Sequence, residues 1–191
     1  MAQDLKIISF KSPQEWEKWL AKNHSASRGV WLKIFKKDSQ TRSVSYLEAL
    51  EGALCYGWID GQKAAYDDKA WLQKFSPRQE KSVWSKINVG HAERLIKTGR
   101  MKPEGLKKIV SAKKDGRWSN AYHPQSSAKL PKDFLQEVSK NTKAKAFLDT
   151  LNRSNVYAII YRLQTAKKPE TRQKRISQFV EMLSRGEKLH P

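Results

Sequence analysis

The 191 residues suffice for one sizeable core with a smaller satellite, and a hydrophobic share of 38% with seven Trp excludes global disorder. The 38 Lys and Arg against 19 Asp and Glu leave a formal charge of +19, which favours anionic partners such as nucleic acid or phosphorylated ligands over cationic ones. The lone Cys55 excludes an internal disulfide, and no apolar run is long enough for a secretion signal or a membrane span, so a soluble cytoplasmic protein is expected.

In chain order, residues 5–10 read as a short strand. Ser12-Pro13-Gln14-Glu15 then supplies an N-cap, a first-turn proline and a capping-box glutamate, so a helix is expected from Pro13 with Trp16, Trp19 and Leu20 on its apolar stripe. Residues 30–36 read as a strand. Ser45 and Glu48 repeat the capping-box pattern and start a second helix with Leu47, Leu50 and Leu54 inward and Gly57 as its stop. Residues 58–66 and 69–75 are β-like runs joined by Asp67-Asp68 as a tight hairpin. Helices are expected over 85–98 and 103–114, each closed by glycine, at Gly99 and Gly116.

Residues 119–129, with His123-Pro124 and several serines, read as linker. Four helices follow, over 131–140, 143–151, 154–166 and 169–185, the last burying Ile176, Phe179, Val180 and Leu183. The expected fold is α+β: a small, mostly antiparallel sheet with packed helices, followed by an all-helical C-terminal part. The expected domains are an α+β core at 1–122, a linker at 123–130 and a basic helical subdomain at 131–191.

His24, His91, His123 and His190 have no metal-site spacing to one another or to Cys55, and no phosphate-cradling glycine loop, nucleophile elbow or dinucleotide fingerprint is present. Neither a metal nor a cofactor is expected. Residues 48–88 instead gather groups suited to a cleft. Glu48 and Asp60 are the candidate catalytic acid and base, because apolar neighbours such as Trp58 can raise a carboxyl pKa. The structural alternatives are that Glu48 only completes its capping box and that Asp60 is a turn residue. Arg78 offers an anion-binding fork, and Trp84, Ser85 and Asn88 lie where the N–H groups of a starting helix favour an anion. Against these stand a salt bridge for Arg78, packing for Trp58 and Trp84, and a cap for Ser85.

A second group is basic: Arg162, Lys167, Lys168, Arg172, Lys174 and Arg175. On helix faces such residues can track a phosphate backbone, although solvated basic faces are common. No aromatic single-strand platform is visible in the sequence.

The segments GVWLKIFKK, EALEGALCYGWIDGQ, SPRQEKSVWSKIN, GRMKPEGL, AKKDGRW and AKKPETRQKRI resemble the bacterial YdeI/OmpD-associated, or bacteriocin-protection, family over about residues 10–186. The resemblance implies a small soluble α+β protein connected with envelope stress and resistance to antimicrobial peptides, and it carries over no catalytic residues. A chain at +19 repels cationic peptides, so direct sequestration of such a peptide is disfavoured. Two functions remain. One is binding of an anionic small molecule in a cleft between residues 58–62 and 78–88, through Trp58, Asp60, Arg78, Trp84, Ser85 and Asn88. The other is sequence-independent binding of nucleic acid through Arg162, Lys168, Arg172 and Arg175.

Overall fold

The computed structural model describes residues 5–191. Backbone packing divides the chain into two compact units, one ending at Ser82 and resumed by Asn88–Ser119, the other made of Val83–Ile87 with Asn120–Pro191.

The first unit holds a four-stranded sheet. Its strands are β1 (Ile7–Ile8), β2 (Val30–Phe35), β3 (Trp58–Ala65) and β4 (Ala70–Pro77), in the spatial order β1-β2-β4-β3. The β1–β2 pair is parallel and the other two pairs are antiparallel. Helix α1 (Pro13–Asn23) starts where the sequence predicts: Ser12 Oγ accepts from the Glu15 N–H at 3.3 Å, and a Glu15 carboxylate oxygen accepts from the Lys11 N–H at 2.8 Å. Helix α2 (Tyr46–Cys55) has the full reciprocal capping box of Ser45 and Glu48. Gly57, at φ +71°, then turns the chain into β3.

The core of this unit is aromatic. Trp16 is fully buried, stacks on Trp19 with ring centroids 5.4 Å apart, and lies 5.6 Å from Phe75. Its indole N–H donates to the Ala49 carbonyl at 2.9 Å, which satisfies the one polar group such a side chain brings into a core. Leu47 departs from the expected stripe: the whole first turn of α2 is exposed, and Leu47 is 48% accessible, while Ala49, Leu50, Ala53 and Leu54 face inward.

The hairpin is looser than the sequence suggests. The strands stop at Ala65 and resume at Ala70, leaving a four-residue loop. A two-residue type I′ turn needs positive φ at both central positions, and neither Asp67 nor Asp68 adopts it. Asp67 Oδ1 instead accepts from the N–H groups of Lys69 at 2.9 Å and Ala70 at 2.6 Å. Between Asp60 and Lys63 the register slips by a bulge, where the Gln73 side chain donates to the Gly61 carbonyl at 2.9 Å.

Helices α3 (Lys86–Lys97) and α4 (Pro103–Lys114) follow, and α4 lies close against the end of α2. A Cβ placed on Gly105 would stand 2.5 Å from the Cys55 carbonyl oxygen and 2.6 Å from that of Leu54, so only glycine permits this approach.

The second unit packs α5 (Lys132–Ser139), α6 (Thr142–Leu148), α7 (Arg153–Gln164) and α8 (Pro169–Ser184) around Phe134, Val138, Leu148, Ile159, Leu163, Ile176, Phe179 and Leu183. Val180 is only partly buried against this cluster. Segment 83–87 joins the unit through a parallel bridge between Ser85 and Tyr122. Residues 123–130 are irregular but held to α7: the Tyr157 hydroxyl donates to the His123 carbonyl at 3.1 Å, and Arg153 donates to the carbonyls of Gln125 at 2.9 Å and Ser126 at 2.8 Å. With eight helices and one four-stranded, mostly antiparallel sheet among the described residues, the fold is α+β with a helical C-terminal part. None of these helices is long and apolar enough to cross a membrane.

Candidate functional site

Of the residues expected to form a cleft, Glu48, Asp60 and Trp58 make side-chain hydrogen bonds within the fold. Glu48 is exposed and accepts from both the N–H and the hydroxyl of Ser45, at 2.9 and 2.8 Å. Those bonds, the backbone one foremost, hold its carboxyl below the usual range, which is the wrong direction for a proton donor near neutrality. Asp60 accepts from the Tyr46 hydroxyl at 2.8 Å. Trp58 is buried and donates its indole N–H to the His24 carbonyl at 3.0 Å. Arg78 is buried just beyond β4, with its backbone N–H on the Gly57 carbonyl at 3.0 Å.

Asp60 pairs with Phe75, on the face that also carries Trp58, and Arg78 follows the last residue of β4. Asn88 is buried early in α3, while Trp84 and Ser85 belong to the second unit.

Two cavities of the first unit are better candidates. The larger, about 760 Å³, opens at the C-terminal end of α1 beside the start of β2. Its wall includes Trp19, Asn23 and Ser27 and carries three cations, Lys6, Arg28 and Lys74, with no carboxylate among the described residues. Local chemistry shapes it. Ser27 Oγ donates to the Gly29 carbonyl at 3.0 Å, and Gly29, at φ +148°, lies so near the Phe75 carbonyl that an added Cβ would come within 2.9 Å of it. The negative end of the α1 dipole points here, equivalent to about half a charge. The N–H groups of His24 and Ser27 already cover the Leu20 and Asn23 carbonyls, and three full positive charges outweigh what remains.

The second cavity, about 560 Å³, borders Trp58 and Pro77, nearest to the expected cleft, yet its wall contains none of Asp60, Arg78 and Asn88. It mixes signs: Lys107, Lys108 and Arg117 line it together with Glu80 and Glu104, and His24 lies among them. His24 Nδ1 is 3.0 Å from the Leu20 carbonyl oxygen, and its Nε2 is 4.0 Å from Glu104 Oε1. The Tyr56 ring lies 5.5 Å from that of His24, and burial pushes its hydroxyl pKa up. Arg117 is committed elsewhere, to Asp115 at 2.7 Å, the Ser82 carbonyl at 3.1 Å and Ser111 Oγ at 3.1 Å.

The basic group of the second unit is largely a helix cap. Arg172 forms a two-pronged pair with Asp133 at 2.7 and 2.9 Å and donates to the Leu163 carbonyl at 2.7 Å. Arg175 donates to the Arg162 carbonyl, and Arg162 to that of Ala158 at 3.2 Å. Arg172 and Arg175 therefore serve carbonyls in the last turn of α7, where helical partners run out, while Arg162 bonds within the helix. Lys168, Lys167 and Lys174 remain exposed.

Sequence reasoning missed Glu51, a buried carboxylate on the inner side of α2. It receives Arg94 and, at 3.1 Å, Arg100, while Arg100 also reaches Glu17 at 2.9 Å. Its one sequence signal is an acid among Leu50, Ala53 and Leu54. Among the described residues no cluster of three or more His, Cys, Asp or Glu is placed to hold a metal ion.

Comparison with known families divides the chain. Residues 127–186 match the family described as bacteriocin-protection, YdeI or OmpD-associated, and residues 8–108 match a domain of unknown function, DUF8412. Of the six resembling segments only AKKPETRQKRI falls within the first match; AKKDGRW lies between the two, and the other four lie in the second. No curated protein and no solved structure matches the chain. By a match over more than half its length the chain belongs to the DUF8412 family, and its helical C-terminal part carries the bacteriocin-protection, YdeI or OmpD-associated domain.

Proposed function

We propose that the protein binds an anionic small molecule, such as a phosphorylated or polycarboxylate metabolite, in the larger cavity of its first unit. The observation that carries this reading is the wall itself, with Lys6, Arg28 and Lys74 around about 760 Å³ and no carboxylate among the described residues that line it. Trp19 and the polar Asn23 and Ser27 add an apolar surface and orienting groups, the usual composition of a small-molecule site. The reading keeps the ligand class drawn from the sequence and moves the site from residues 58–88 to the end of α1. It places the protein in the cytoplasm, a location that suits the buried free thiol of Cys55.

Thermal unfolding with pyrophosphate as probe tests it. Millimolar pyrophosphate is expected to raise Tm well above the effect of sodium chloride at equal ionic strength, and Arg28→Glu with Lys74→Glu is expected to abolish the difference. A shift that survives the double reversal but disappears in Lys107→Glu with Lys108→Glu would move the ligand to the second cavity and overturn the assignment.

A further inference from the structure

Strand β2 has the sequence Val-Trp-Leu-Lys-Ile-Phe, and its alternation is strict: Val30, Leu32 and Ile34 are buried, while Trp31, Lys33 and Phe35 are half-buried. The buried set shares its face with Phe75 and Trp58, against which the Trp16 and Trp19 rings of α1 pack. The other face is the one turned away from those rings. On it the register places Leu72 beside Lys33 and Lys74 beside Trp31. Tyr66, 48% exposed in the hairpin loop, extends the row, with Lys33 Nζ 4.3 Å from its ring centroid and 4.9 Å from that of Phe35.

Two partly exposed rings of β2 and a third in the neighbouring hairpin loop, set among lysines of the two central strands, form a chemically specific surface. A protein-docking face concentrates apolar residues at its centre and is depleted in Lys there, whereas here Lys33 and Lys74 stand in the middle of the sheet. Aromatic rings that stack on bases, set among cations that meet the backbone, are what a single nucleic-acid strand requires. Trp31 and Phe35, four residues apart, are separated by about 13 Å along the strand, close to four base steps of a stacked strand. The Lys33 carboxylate partner, Asp67 Oδ2 at 3.1 Å, is exposed, so exchanging it for a phosphate costs little. The +19 charge of the chain raises the encounter rate with any such polyanion.

We propose that this outward sheet face binds single-stranded nucleic acid with little sequence preference, Trp31, Phe35 and Tyr66 stacking on bases and Lys33 and Lys74 contacting phosphates. The surface belongs to the first unit and shares Lys74 with the anion cavity.

Fluorescence anisotropy of the full chain with a labelled 12-nucleotide oligo(dT), its RNA counterpart and a duplex of equal length tests the proposal, at about 50 and 200 mM salt. The single strands should bind at least tenfold tighter than the duplex. Phe35→Leu combined with Tyr66→Ala should weaken them about tenfold or more, with an unchanged urea midpoint, and Tyr66→Phe should restore most of the Tyr66 share. Arg28→Glu, which touches only the cavity, separates this result from the pyrophosphate one: it should remove the pyrophosphate shift and leave oligonucleotide binding within a fewfold. Equal binding of duplex and single strand, indifference to the ring substitutions, no binding at the lower salt, or a dimer whose interface buries Trp31 would each overturn the proposal.

Discussion

Asp133 shows how much of this chain's charge is structural. Its carboxyl is held below the usual range by the Arg172 guanidinium first, and by the Phe134 N–H at 2.9 Å. A depressed carboxyl pKa contributes stability that is fully present above the unfolded value near 4 and is lost as pH falls through the folded value. The urea midpoint is therefore expected to drop between about pH 5 and pH 3 more steeply in the native chain than in Asp133→Asn, which lacks this titration. Equal slopes would show that the pair contributes nothing to acid stability. Residue type alone made Arg172 and Arg175 candidates for phosphate contact, because a sequence cannot show that a neighbouring helix ends within their reach. The same holds for Glu48 and Asp60, whose types suited chemistry while their carboxylates meet a cap and a tyrosine hydroxyl.

At the scale of elements, local signals predicted the helix starts at Ser12 and Ser45 and the stops at Gly57, Gly99 and Gly116, all three of which adopt positive φ. Contacts distant in sequence left no such trace. The three cations of the larger cavity come from positions 6, 28 and 74, and only the sheet register brings them to one wall. Likewise, the alternation of β2 announced a half-buried strand but not which face the helices would cover. The approach of α4 to α2 is the sharpest of these non-local requirements. Gly105→Ala would drive a methyl group against the Leu54 and Cys55 carbonyls and the Met101 sulfur, and neither backbone carbonyl can step aside cheaply. A loss of about 2–3 kcal/mol in unfolding free energy is expected from denaturant titration. Gly90→Ala, where an added Cβ meets nothing, should instead stabilise α3 by several tenths of a kcal/mol.

Over the whole molecule, the +19 charge opposes compactness by self-repulsion. Raising sodium chloride from about 10 to 200 mM shortens the screening length from about 30 to under 10 Å, so Tm is expected to rise with salt. A falling Tm would mean that the ion pairs around Glu51, Asp115 and Asp133 outweigh the general repulsion. Charge of this size was plain from composition; its division into caps, a cavity wall and a sheet face was not, because composition carries no geometry.

The five residues of segment 83–87 sit with the C-terminal unit although they are encoded in the middle of the chain, inside the span of the DUF8412 match. The polypeptide therefore passes from one unit to the other three times, after Ser82, Ile87 and Ser119. A gene break anywhere near position 120 would leave behind the backbone groups with which Trp84 and Lys86 meet Tyr122. The two halves are thus poorly suited to being shuffled as cassettes, and inheritance as one piece is the simplest way to keep that strand pairing intact.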